Sequence, residues 1–188
     1  PHSNRMFAIV PALSILVALG IQYAQIFIHT KKTWIFPIIV GILYAASLVF
    51  YIDAYFIHFP REEAQYWGLG YKQLSVIVNK PQYKDKNIII STPQESPYIY
   101  MLFYENYDPA LYQKESIRYP ISSDGFTDVK AFGRFTFRAI DWGSDIHLPN
   151  TLLIAKANEI PTSVSLNVVD TIYLPNGQAQ FTIIDTMK

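Results

Sequence analysis

The chain has 188 residues with 15 basic and 15 acidic side chains, so it lacks the positive excess that nucleic-acid binding needs. It is 51% hydrophobic and only 16% charged, which is apolar for a soluble domain. Cysteine is absent, which removes disulfides and thiol chemistry.

The apolar excess is concentrated at the start. Met6 to Ile28 is a run of 23 uncharged residues, and Thr33 to Ile52 is a second of 20. About 20 helical residues cross the roughly 30 Å hydrocarbon layer, so both runs are predicted as transmembrane helices, about 6–28 and 33–52. Pro11 and Pro37 lie near helix ends, where membrane helices tolerate proline. Two core helices of a soluble protein would need more cover than the 135 residues after Asp53 supply. A cleaved signal sequence fits poorly, because the first apolar run is too long and a second follows at once.

The connector His29-Thr30-Lys31-Lys32 is short and basic, which favours the cytoplasmic side and puts Pro1 and everything after Asp53 outside. Arg5 opposes this orientation with one charge against two. Trp34, Tyr51 and Tyr55 fall near the ends of the second run, where amphipathic rings favour the interface. Without cysteine or an Asn-x-Ser/Thr sequon, an outward domain suits a bacterial surface. A chain opening at Pro1 is expected to be a piece of a longer polytopic protein.

Residues 54–188 hold 12 basic and 14 acidic side chains and read as a small extracytoplasmic α/β domain with a mixed sheet. Pro60-Arg61-Glu62-Glu63 is a helix start, and Ala64, Trp67, Tyr71, Leu74 and Val78 continue a helical stripe toward Lys80-Pro81. Asn87 to Ser91 is a short β-branched run and predicts a buried strand. Ser96-Pro97 restarts a helix to about Tyr107. Gly133 to Ile140 alternates as a strand, and Thr151 to Ala155 is another buried one. Val168 to Leu174 and Ala179 to Asp185 flank Asn176-Gly177, the signature of a hairpin.

Chemical motifs are sparse. Gly68-x-Gly70 lacks the third glycine of a dinucleotide fingerprint and lies in a helical pattern, where glycine permits close packing instead. The four histidines have no metal-like spacing, and neither a nucleophile elbow nor a phosphate-binding loop occurs. Asp141 and Asp145 flank Trp142-Gly143 as surface turn residues or, alternatively, as an acid–base pair. The tract SPYIYMLFYENYDPALY places Tyr98, Tyr100, Phe103, Tyr104, Tyr107 and Tyr112 at helical steps. Such rings make a packed helix face, a contact with lipid headgroups, or a platform for a sugar, with Tyr100, Tyr104 and Tyr107 the candidates for those last two. Arg5 either snorkels into headgroups or clamps an anion through its planar fork, with His2 as a second donor.

The His2-x-x-Arg5 pair ahead of an apolar helix containing Pro11 resembles the late transmembrane region of GT-C glycosyltransferases, the superfamily of protein O-mannosyltransferases and lipid A aminoarabinose transferases. YFIHFPREEAQYWGLGYKQ is similar to the start of the extracytoplasmic tail in bacterial members. Similar tails carry a tract like PYIYMLFYENYDPALY and a hairpin like LPNGQAQF. The resemblance implies transfer of a sugar from a polyprenyl-phosphate carrier, with inversion, to an acceptor glycan, lipid or protein outside the cytoplasm. The family's catalytic acid lies in a first outer loop upstream, so no catalytic residue is assigned here. The resemblance gives Arg5, with His2, the carrier phosphate, and gives the tail the task of positioning the acceptor. Family members use a divalent metal variably or not at all, and the sequence supplies no metal cage or other cofactor site. A two-helix anchor bearing an outward binding or sensory domain is the alternative, and a non-catalytic subunit of a membrane complex is a third.

Overall fold

A computed structural model describes residues 9–27, 34–91, 96–123, 125–162 and 164–186. The chain forms two compact units, Pro1–Ile57 and His58–Lys188.

The first unit contains α1 (Val10–Phe27) and α2 (Ile35–Asp53). Pro11 and Pro37 sit in the first turns, where a missing N–H costs no intrahelical bond. Leu13, Ile15, Leu16 and Val17 of α1 and Ile38, Ile39, Ile42 and Leu43 of α2 are exposed, and α2 buries nothing. A helix apolar on all sides yet unburied is not packed into the core of this chain. The helical path runs on past Asp53 through a π turn, Ala54–His58, into α3 (Phe59–Glu62). Pro60 explains the wide turn, because its ring would clash with the carbonyl of Phe56 in regular α geometry. Ile35–Glu62 is thus 28 residues, the one helix among the described residues long and apolar enough to cross a membrane. The described α1 is shorter, at 18 residues, and the ends of the expected run 6–28 lie outside the described residues.

The second unit is built on the predicted mixed sheet. Its strands are β1 (Asn87–Ile90), β2 (Ile117–Arg118), β3 (Val129–Phe132), β4 (Phe135–Phe137), β5 (Thr151–Ala155), β6 (Val168–Tyr173) and β7 (Ala179–Asp185). They lie in the order β2-β3-β4-β1-β5-β7-β6. β1 pairs in parallel with β4 on one side and β5 on the other, and the remaining pairs are antiparallel. Ile88, Ile89 and Ile90 and all of β5 are buried, the two-sided burial that parallel strands require. The Asn176-Gly177 hairpin forms as expected: Gly177 takes φ 84°, and the Asn176 side chain accepts the Gln178 N–H at 3.0 Å. The strand expected over 133–140 is shorter. Gly133, at φ 48°, turns the chain from β3 into β4.

One face of the sheet is covered by α4 (Tyr71–Val78) and α5 (Pro97–Tyr104), with Tyr71, Leu74, Val78 and Met101 packed on Ile88, Phe137, Ile154 and Ile183. The other face buries Ile89, Leu153 and Ile184 under Ile140, Trp142, Ile146 and Leu148. The continuous helix expected from Pro60 to Lys80 is broken. A 3-10 turn, Ala64–Trp67, is followed by Gly68 at φ 70° and Gly70 at φ 103°, both left-handed, before α4 begins. Ala64, Tyr71, Leu74 and Val78 of the stripe are buried, but Trp67 is 70% exposed. The helix expected to reach Tyr107 ends at Tyr104, and α6 (Pro109–Glu115) follows, capped by Asp108, which accepts the Ala110 N–H at 2.9 Å.

Candidate functional site

His2 and Arg5 lie outside the described residues. The three candidate tyrosines lie within them and take different places. Tyr100 stacks on Tyr71 with ring centroids 4.4 Å apart and planes 4° from parallel, and Tyr71 touches Phe181 at 4.8 Å. A β-carbon on Gly68 would overlap the Tyr100 ring, so glycine is what lets the helix and the turn approach. A small cleft of about 160 Å3 opens there, lined by Gln65, Tyr66, Gly68, Tyr71 and Tyr100. Tyr104 packs on the core from its edge, with Phe103 against it at 5.1 Å.

The Tyr107 hydroxyl donates to Glu115, whose carboxylate also accepts the Gly133 N–H at 2.9 Å. Burial pushes the Tyr107 pKa up to about 12, helped by the hydrogen bond to Glu115 and that group's charge. Its ring meets Phe132 edge-on at 4.9 Å. The tyrosine tract is thus a packed helix face that continues into α6, with Phe103 turned outward at 73% exposure.

The sheet topology creates a switch point that the sequence did not point to. β1 and β4 are parallel neighbours, yet the chain leaves their carboxyl ends toward opposite faces: after β1 to α5, and after β4 to the segment carrying Ile140 and Trp142. In open α/β sheets the strand ends at such a switch point are the usual ligand position. Tyr119 donates its hydroxyl to the Phe137 carbonyl at 2.7 Å across the end of β4. Ser96, at the start of α5, holds the left-handed φ 50°, with its Oγ 3.5 Å from Asp128. Burial raises the pKa of Tyr98, nearby Tyr112 and Asp128 push the same way, and Arg118 opposes them.

Arg138 follows β4 at this switch point. Its two terminal nitrogens hold both oxygens of Asp145 at 2.6 and 2.7 Å. The hydrogen bond from Arg138 holds the Asp145 carboxyl below its ordinary range, against the effect of burial, and the Asp141 N–H adds to it at 2.8 Å. Asp141 itself accepts the Gly143 N–H at 3.0 Å and the Ser144 hydroxyl at 2.8 Å. The pair Asp141 and Asp145 thus builds a turn and anchors an arginine.

At the opposite strand ends, Arg134 donates to the carbonyls of Val78, Tyr83 and Lys84 at 3.2, 3.0 and 2.8 Å. Glu105 accepts the Ser75 hydroxyl at 2.7 Å and the Asn79 amide at 2.9 Å. These bonds fasten α4 to α5 and to β4. Among the described residues no group of three or more His, Asp or Glu side chains is placed to hold a metal ion. Comparison of the chain with protein-family models, curated proteins and solved structures finds no match.

Proposed function

We propose that the chain is the C-terminal part of a polytopic membrane glycosyltransferase that moves a sugar from a polyprenyl-phosphate carrier to an acceptor outside the cytoplasm. One observation carries this reading: a 28-residue apolar helix leads directly into an α/β unit. The His2-x-x-Arg5 motif ahead of the first apolar run supports it. In this reading both apolar runs span the bilayer and residues 54–188 stand on the extracytoplasmic side. Arg5, with His2, holds the carrier phosphate. A fixed guanidinium there stabilises the charge that grows on the leaving phosphate oxygen in the transition state. The α/β unit positions the acceptor.

The test is transfer from a polyprenyl-phosphate sugar to an added acceptor, by the full-length polytopic enzyme in membranes and by the same enzyme lacking residues 54–188. Loss of transfer to some acceptors with retained carrier binding supports the role of the α/β unit. Unchanged transfer to every acceptor removes that role, and no transfer by the full-length enzyme removes the enzyme reading.

The switch point between β1 and β4 favours a second reading, a membrane-anchored module that binds a ligand without transforming it. Soluble-ligand binding by the intact protein, with no transfer from any carrier tested, would select it.

A further inference from the structure

Phe59, Tyr66, Trp67 and Leu69 are exposed by 39%, 72%, 70% and 42% within a stretch of 11 residues. The Phe59 and Trp67 rings meet at 6.0 Å, edge to face, so they form one surface. Tyr66 and Trp67 keep most of their surface exposed, although Ala64 in the same segment is buried at 5%. The segment therefore turns one side inward and leaves its largest apolar side chains outward.

Its place in the chain says what covers it. The apolar helix that precedes it is 28 residues long, a rise of about 42 Å, close to the roughly 40–45 Å of a bilayer with its headgroup layers. The last turn of that helix, Phe59–Glu62, then emerges among the headgroups. Trp67 follows Glu62 after five residues, a reach of at most about 18 Å if the chain were extended. It is not extended: Ala64–Trp67 is a 3-10 turn rising only about 2 Å per residue. Covalent geometry thus keeps Tyr66, Trp67 and Leu69 at the membrane surface, where tryptophan and tyrosine are favoured.

We infer that Phe59, Tyr66, Trp67 and Leu69 form a lipid-docking surface that seats the α/β unit on the headgroup layer of the bilayer. This rests on the reading that Ile35–Glu62 crosses the membrane. The docking face is then the outward side of the Gly68 turn rather than the tyrosine face of α5, which is spent on the core. A unit seated this way presents its remaining surface at a fixed height above the bilayer, where a lipid-borne carrier also emerges.

The experiment uses the full chain in phosphatidylethanolamine–phosphatidylglycerol vesicles that carry nitroxide quenchers either at the headgroup or deep in the acyl chains. The three tryptophans are Trp34, Trp67 and Trp142. W34F with W142F leaves Trp67 as reporter, and W67F with W142F leaves Trp34 at the start of the apolar helix. The expected result is that Trp67 loses most of its emission to headgroup nitroxide, loses less to deep nitroxide, and resists iodide. If Trp34 is quenched by lipid nitroxide and Trp67 only by iodide, the docking surface is wrong while the span stands. If neither tryptophan responds to lipid nitroxide, the span fails and the docking with it. Protection of Trp67 from both quenchers points to a protein partner and also overturns the inference.

Discussion

The Tyr100 ring lies flat on the Tyr71 ring at 4.4 Å, and the backbone of Gly68 passes where a β-carbon would strike Tyr100. This contact joins α5 to the turn that follows the apolar helix. It also explains why Gly68 adopts φ 70°, since the chain must reverse without a side chain.

Gly68→Ala is therefore expected to destabilise the α/β unit. A left-handed backbone costs an L-residue about 1–2 kcal/mol, and overpacking adds about 1–3, for a total of roughly 2–5 kcal/mol. Thermal unfolding of the intact chain in detergent measures this. The penalty should shrink in a Tyr100→Ala background, where the overlap is gone, although that change has its own cavity cost. Equal penalties in both backgrounds would show that the ring is not what Gly68 accommodates.

Tyr107 makes a prediction at alkaline pH. Its pKa is raised to about 12, above the unfolded value of about 10, so the folded state holds the proton more tightly. Its contribution to stability is complete below about pH 10 and is lost as pH rises through about 12. Absorbance titration should show a last tyrosine ionising near the unfolding transition, and Tyr107→Phe should remove that phase. The substitution should cost only about 1 kcal/mol, because Glu115 keeps the Gly133 N–H. A titration curve with the same late phase in the variant would reassign it.

What the sequence revealed follows from how local each signal is. β1, β5 and the β6–β7 hairpin are legible because a β-branched run or an Asn-Gly turn defines them within a few residues. The break after Trp67 is less legible. Ala64, Tyr71, Leu74 and Val78 keep helical spacing across it, since both sides bury toward the same core, and only two glycines in three residues betray the turn. The tyrosine tract was readable as a packed face, but which rings face the core depends on Phe132 and Tyr71 from distant segments. The switch point between β1 and β4 was not legible at all. It exists because residues 88–90 pair with 135–137, a long-range choice that no local pattern records.

Just beyond β4, Asp145→Asn is expected to release Arg138. Asp145 is 3% exposed and its partner's side chain 32%. Removing one charge of a buried pair costs about 3–5 kcal/mol, and the partial exposure of Arg138 lowers the expectation to about 2–3. The pH dependence has a definite sign. The folded pKa of Asp145 is depressed, so its contribution is present above the unfolded value of about 3.9 and is lost as pH falls through the folded one. Urea midpoints from near-neutral to strongly acidic pH should converge for the two proteins at the acid end. A constant gap at all pH values would mean that packing, not the ion pair, is what the substitution disturbs.

The carrier-phosphate role separates arginine from lysine. A guanidinium fork grips phosphate through two parallel donors, and an ammonium keeps the charge but not the fork. If Arg5 clamps the carrier phosphate, both Arg5→Lys and Arg5→Ala should lower the transfer rate by about 100-fold at saturating carrier, the scale of removing one fixed donor from a charged transition state. If Arg5 only snorkels into headgroups, lysine serves equally well. Transfer by Arg5→Lys near the parent rate would return Arg5 to an anchoring role and leave His2 without a phosphate to share.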